Sequence, residues 1–193
     1  MSAAPRRIIV GISGASGAVY GVELLRALRG LPSIESHLVV TASGWLTLQH
    51  ELGLGRADVQ ALADVAHDIG SVGAPIASGS FGAQAMVVAP CSMHTLAAVA
   101  HGLADNLLTR AADVMLKERR PLVLLARETP LHLGHLRNMV AATEMGAIVC
   151  PPVPAFYQRP QSVDDIVRHS VARALDLLGI ANDLAPRWQG LGQ

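Results

Sequence analysis

The segment Gly11-Ile12-Ser13-Gly14-Ala15-Ser16-Gly17-Ala18-Val19-Tyr20-Gly21 constrains the fold more than any other. It follows the apolar run Ile8-Ile9-Val10 and opens onto Val22-Glu23-Leu24-Leu25-Arg26-Ala27-Leu28. A β-type run, a turn of small residues and a helical pattern, in that order, begin a strand-to-helix unit. Small residues let a ligand approach the backbone, and the free N–H groups of the helix start point at it. Phosphate is the expected occupant. The spacing argues against two common versions of such a site. A Walker loop ends in Gly-Lys-Ser/Thr, and no lysine stands here. The glycines run G-x-x-G-x-x-G rather than G-x-G-x-x-G, and the next strand ends in Thr41 where a dinucleotide fold has an acidic residue. NAD is therefore not expected.

The rest of the chain repeats the alternation. Strands are expected at 7–12, 35–41, 85–89, 121–126 and 147–150. Helices are expected at 18–29, 44–52, 57–66 and 96–102, and from an Asp105-Asn106 cap to 118. Another starts at Arg127-Glu128-Thr129-Pro130 and runs to about 145. The last spans 163–178, opened by Ser162 and Asp165 at capping-box spacing. Residues 68–84 read as an ordered loop. This order builds an α/β domain, a mostly parallel sheet with helices on both faces. At 193 residues it is one domain, 1–193, with the tail 179–193 packed on the domain or on a neighbouring subunit.

Composition excludes several classes. Formal net charge is zero with no basic block, so nucleic acid is not a partner. No apolar run approaches the ~18–20 residues of a membrane span, and the first residues lack a signal-peptide core. A cytoplasmic protein is expected, with Cys91 and Cys150 as reduced thiols. Near-zero charge with 51% hydrophobic residues points to apolar surface covered by other subunits.

Ligands of an open parallel sheet bind beyond the carboxyl ends of its strands. Here those ends carry Ser13 to Ser16, Thr41, Ser92-Met93-His94-Thr95, Arg127-Glu128 and the loop with Phe156-Tyr157. Hydroxyls, backbone donors, an arginine and an aromatic on one rim suit a flavin or nucleotide. Ser92 to Thr95 can equally cap a helix, and His94 can be a solvent-facing turn residue. His132 and His135 have metal-type spacing without an acidic or cysteine partner, so packing or surface roles are favoured and no metal is expected. Arg173 shares a helical stripe with Ile166, Ser170 and Leu177, where a buried cation needs an anion. Either a structural carboxylate or a ligand phosphate meets that need. Tyr157 can offer its hydroxyl to the same anion.

Five motifs together resemble the UbiX-type flavin prenyltransferases, formerly labelled aromatic-acid decarboxylases. They are Gly-Ile-Ser-Gly-Ala-Ser-Gly-Ala-x-Tyr-Gly at 11–21, Pro-Cys-Ser-Met at 90–93, Arg-Ala-Ala-Asp-Val-x-Leu-Lys-Glu-Arg-Arg-Pro at 110–121, Arg-Glu-Thr-Pro at 127–130, and Pro-x-Phe-Tyr-x-x-Pro-Gln-Ser at 154–162. The resemblance implies a flavodoxin-like (Rossmann-like) three-layer sandwich, assembled as a homododecamer with sites between subunits. It implies a metal-independent transfer of the dimethylallyl group from dimethylallyl monophosphate to reduced FMN. The product, prenylated FMN, serves UbiD-type decarboxylases, including that of ubiquinone biosynthesis.

Residue by residue, the resemblance assigns Gly14, Ala15, Ser16, Thr41, Ser92, Met93, His94, Thr95 and Arg127 to FMN. Tyr157 and Arg173 hold the prenyl phosphate, with Lys117 and Arg110 adding positive charge, some of it from a neighbouring chain. Ser16 lies at the reacting centre, Lys117 acts on the leaving phosphate, and Glu51 and Glu128 are the acid/base candidates. The chain has Thr41-Ala42 where Ser-Lys is frequent in the family. The alternatives are an FMN-dependent decarboxylase of the phosphopantothenoylcysteine type and a non-catalytic flavin carrier. The first expects an asparagine where His94 stands; the second leaves Lys117, Tyr157 and Arg173 without a task.

Overall fold

The computed structural model describes residues 4–190; the first and last three residues of the 1–193 span lie outside the described residues. Six parallel strands form one sheet: β1 (Arg6–Ile12), β2 (Ile34–Val40), β3 (Val65–His67), β4 (Ala85–Cys91), β5 (Leu122–Ala126) and β6 (Ile148–Val149). Their order is β3-β2-β1-β4-β5-β6. Without the three-residue edge strand β3 this is the flavodoxin order, and its direction of winding reverses between β1 and β4. Every residue of β4 is buried, as its unbroken apolar run requires of a central strand.

Among the described residues seven helices cover the two faces: α1 (Ala18–Arg29), α2 (Ala42–Leu52), α3 (Arg56–Gln60), α4 (Met93–Ala100), α5 (Leu107–Lys117), α6 (Leu133–Glu144) and α7 (Val163–Leu177). Alternate strand residues supply two cores. Ile8, Val10, Ile12, Val87 and Leu125 pack against Val22, Leu25 and Leu28 of α1 and Val167, Val171 and Leu175 of α7. Ile9, Met86, Val88 and Leu124 pack against Leu96 of α4 and Leu108, Ala111 and Met115 of α5 on the other side. Gly21 lets α1 lie on β4: a Cβ there would overlap the Ala89 carbonyl oxygen and Ile12. The caps at α5 and α7 match their sequence signals. Asn106 Oδ1 accepts from Thr109 N at 3.1 Å, while Ser162 and Asp165 exchange hydrogen bonds at 3.1 and 3.0 Å.

The structure departs from the expected elements in three places. The helix expected at 57–66 is the short α3, after which the chain turns into β3. Asp64 accepts from Ser36 N and Oγ, both at 2.7 Å, and His67 Nε2 lies 3.0 Å from His37 Nδ1, which docks the strand. The helix expected from 127 starts at Leu133, with His132 extended and accepting from Gly134 N after a bend at Thr129-Pro130. The loop at 68–84 contains two short 3-10 turns, Pro75–Ala77 and Gly79–Phe81. On α6 only Ala142 is buried, and Leu133, Leu136 and Val140 form an exposed apolar stripe.

Candidate active site

The loops after β1 and β4 meet where the winding reverses. Ser13 stitches them: its buried Oγ donates to Pro90 O at 2.9 Å and accepts from Ser92 N at 2.8 Å. Gly14 touches the start of α2, since a Cβ there would run into Ser43. Gly14, Thr41 and Ser43 thus lie together at this rim, with Thr41 Oγ1 3.5 Å from Ser43 Oγ.

The start of α1 is not a free anion cradle. The Glu51 carboxylate fills it, Oε2 accepting from Gly17 N and Ala18 N, both at 2.9 Å. This corrects the expectation of phosphate on those donors: a side chain of α2 already supplies the negative charge that the helix end attracts. Burial opposes ionisation of Glu51, but hydrogen bonds from Ser16, Gly17 and Ala18 and the charge of Arg127 together hold its carboxyl below the usual range. Ser16 is exposed and tied to this carboxylate. Arg127, at the end of β5, also bears on Tyr20. Burial pushes that phenol up more than Arg127 and a hydrogen bond from Ser170 pull it down. Arg127 thus bears electrostatically on both Glu51 and Tyr20.

Of the other expected FMN contacts, Thr41 caps α2, accepting from Gly44 N at 3.0 Å. Ser92 caps α4, accepting from Thr95 N at 3.2 Å and donating to Thr95 Oγ1 at 3.1 Å. Their backbones remain at the cleft, but these side-chain oxygens are engaged in capping. Met93 is half-buried and His94 exposed beside them. Glu128 is exposed and accepts from Thr129 N.

Arg173 does not sit buried in an apolar stripe. Its side chain is 53% exposed and donates to Asp176 Oδ2 at 2.7 Å. The stripe opens because α7 leaves its outer edge to a groove of about 490 Å³. Tyr157 lines that groove, its hydroxyl 3.4 Å from His169 Nε2 and its ring edge-on to Trp188 at 5.2 Å. Sequence reasoning assigned no site role to Trp188, Arg187 or Asp176; the folding-back of the tail brings Trp188 to Tyr157 and Arg187 to Asp176 of α7. It also missed the roles of Ser13 and Tyr20, although both lie within the glycine-rich motif.

Arg110 and Lys117 are not brought to this rim within one chain. Arg110 bonds Asp113 and the Ala77 carbonyl, and Lys117 pairs with Glu118. α5 runs against the strands, so Lys117 ends at the edge from which β5 departs. The rings of His132 and His135 lie 3.6 Å apart, tilted by 31°, and among the described residues no group of three His, Cys, Asp or Glu is placed to hold a metal ion. Among the described residues no helix is long and apolar enough to cross a membrane.

A switch-point rim of small residues and backbone donors is the kind of place where an open parallel sheet binds a ligand, and the flavoprotein family model matches residues 2–175. The flavin prenyltransferase UbiX of Escherichia coli (strain K12) is 57% identical over 187 residues, 96% of this chain and 99% of that protein. A crystal structure of AnUbiX (PadA1) in complex with FMN and dimethylallyl pyrophosphate matches 97% of this chain and 100% of its own, at 49% identity and a TM-score of 0.95. A dodecameric FMN-dependent UbiX-like decarboxylase from Escherichia coli O157:H7 matches 95% of this chain and 100% of its own, at 51% identity and a TM-score of 0.93. The chain belongs to the UbiX flavin prenyltransferases.

Proposed function

We propose that this protein transfers the dimethylallyl group of dimethylallyl monophosphate to reduced FMN, releasing phosphate and prenylated FMN for a UbiD-type decarboxylase. Two features support the reading. One is an exposed Ser16 held by an ionised Glu51; the other is a groove lined by Tyr157 and Arg173. The cleft fits FMN by its chemistry: small residues leave room for a flat ring, and hydroxyls, backbone donors and Arg127 suit its polar edge and phosphate. Gly14, Ala15, Ser16, Thr41, Ser92 to Thr95 and Arg127 would hold it. Bound reduced FMN supplies the electron-rich ring nitrogen that takes the allylic carbon.

The chain's own groups do the rest. Arg173 and Tyr157 hold the phosphate as negative charge grows on its leaving oxygen. Ser16, donating to Glu51, keeps its Oγ lone pairs toward the cleft and can take a proton there for the carboxylate behind it. Glu128 serves as a second proton carrier. Lys117 and Arg110 reach the phosphate of another chain's site. The apolar stripe of α6 supports a homo-oligomer, which we assign as a dodecamer acting in the cytoplasm; 1–193 is one flavoprotein domain. The test is anaerobic incubation of the protein with reduced FMN and dimethylallyl monophosphate. The flavin should gain the mass of one prenyl unit; an unchanged mass overturns the reading.

A further inference from the structure

The groove beside α7 holds more positive charge than one phosphate-binding arginine. Asp176 is 19% exposed and stands between two guanidinium groups. Its Oδ2 accepts from Arg173 Nη1 at 2.7 Å, and its Oδ1 accepts from Arg187 Nη2 at 3.1 Å. Asn182 Nδ2 donates to the same Oδ1 at 3.1 Å and fixes the carboxylate. Two cations thus share one anion at the mouth of the groove. Both arginine side chains are more than half exposed, at 53% and 61%.

We infer that Arg187 is a second phosphate-recognising residue, parked on Asp176 until the prenyl phosphate arrives; this rests on the transferase reading above. Exposed ion pairs of this kind stabilise a protein little, so leaving Asp176 costs little. A phosphate offers the same forked oxygens with more charge, and charge-assisted bidentate bonds to it are stronger. The tail is anchored on both sides of the arginine. Gln158 Nε2 donates to Pro186 O at 2.8 Å, and Trp188 sits edge-on to Tyr157. Arg187 is therefore presented by a fixed backbone, with only its side chain needing to turn. His169 does not supply the second charge. Burial pushes its imidazole pKa down, Arg173 adds to that, and Asp176 only partly opposes them.

The test does not depend on turnover alone. Inorganic phosphate is titrated calorimetrically into the FMN-loaded wild type, Arg187→Ala, Arg187→Lys and Asp176→Asn. Arg187→Ala should weaken phosphate binding about tenfold, and Arg187→Lys should restore part of it. Asp176→Asn should tighten it about threefold by removing the competing charge. In assays, Arg187→Ala should raise KM for dimethylallyl monophosphate about tenfold with kcat changed less than about threefold. Equal phosphate affinity in wild type and Arg187→Ala overturns the inference, as does a loss of affinity in Asp176→Asn. A wild type that binds phosphate through Arg187 but makes no prenylated flavin would overturn the transferase reading instead.

Discussion

The two halves of the site are built on opposite principles. The rim between β1 and β4 is assembled from buried or backbone hydrogen bonds: Ser13 to Pro90 and Ser92, and Glu51 to Gly17 and Ala18. The groove at α7 is assembled from two exposed arginines on one part-buried aspartate. The first is finished before any ligand arrives. The second holds groups that can change partner cheaply. The comparison teaches that a flat ring needs a prepared wall, whereas a small dianion needs cations free to close on it.

Four substitutions sharpen that contrast, ordered by expected loss of stability. Gly21→Ala forces a Cβ onto the Ala89 carbonyl and should cost roughly 3 kcal/mol, read as a shifted denaturation midpoint at unchanged slope. Ser13→Ala leaves Ser92 N without its buried partner, while Pro90 O keeps only the Ser13 N–H, and should cost about 2 kcal/mol. A cost near zero would break the claim that the rim is internally stitched. Glu51→Gln weakens the cap on α1 and should cost about 1 kcal/mol at neutral pH. The Glu51 pKa is lowered on folding, so its stabilisation is present above the ordinary value of about 4.3 and fades as pH falls through the folded-state value. The gap between wild type and Glu51→Gln should therefore close in acid; a gap that widened below about pH 4 would refute the cap.

Arg173→Ala should move stability by at most about 0.5 kcal/mol, because its pair with Asp176 is exposed. It should nevertheless raise KM for the prenyl phosphate more than about tenfold. A variant that unfolded readily while keeping its KM would reverse the contrast between wall and clamp.

What could be read from the sequence followed the range of the interaction. The caps at Ser162 and Asn106 span three or four residues and were visible as spacing. The strands of the central sheet were visible as apolar runs. β3 was not, because Val65–His67 is held by Ser36 and His37 about thirty positions away rather than by any pattern of its own. Glu51 was legible as a chemical type, but its seat on α1 needs α2 to pack 34 residues back. Arg173 was read as buried because its helix neighbours are apolar; the groove that exposes it exists only once Tyr157 and Trp188 meet across the tail.

The direction of α5 has a consequence for how the site can be inherited. Lys117 ends at the edge of the sheet opposite its own Ser16, so any help it gives to a leaving phosphate goes to a different copy of the chain. In the assembly proposed above each polypeptide would be a donor to one active site and a recipient at another. Two impaired proteins, one lacking Lys117 and one lacking Arg173, should regain part of their turnover at low substrate when dissociated and reassembled together. Mixed assemblies would contain some sites with both wild-type residues, a form of rescue between defective copies.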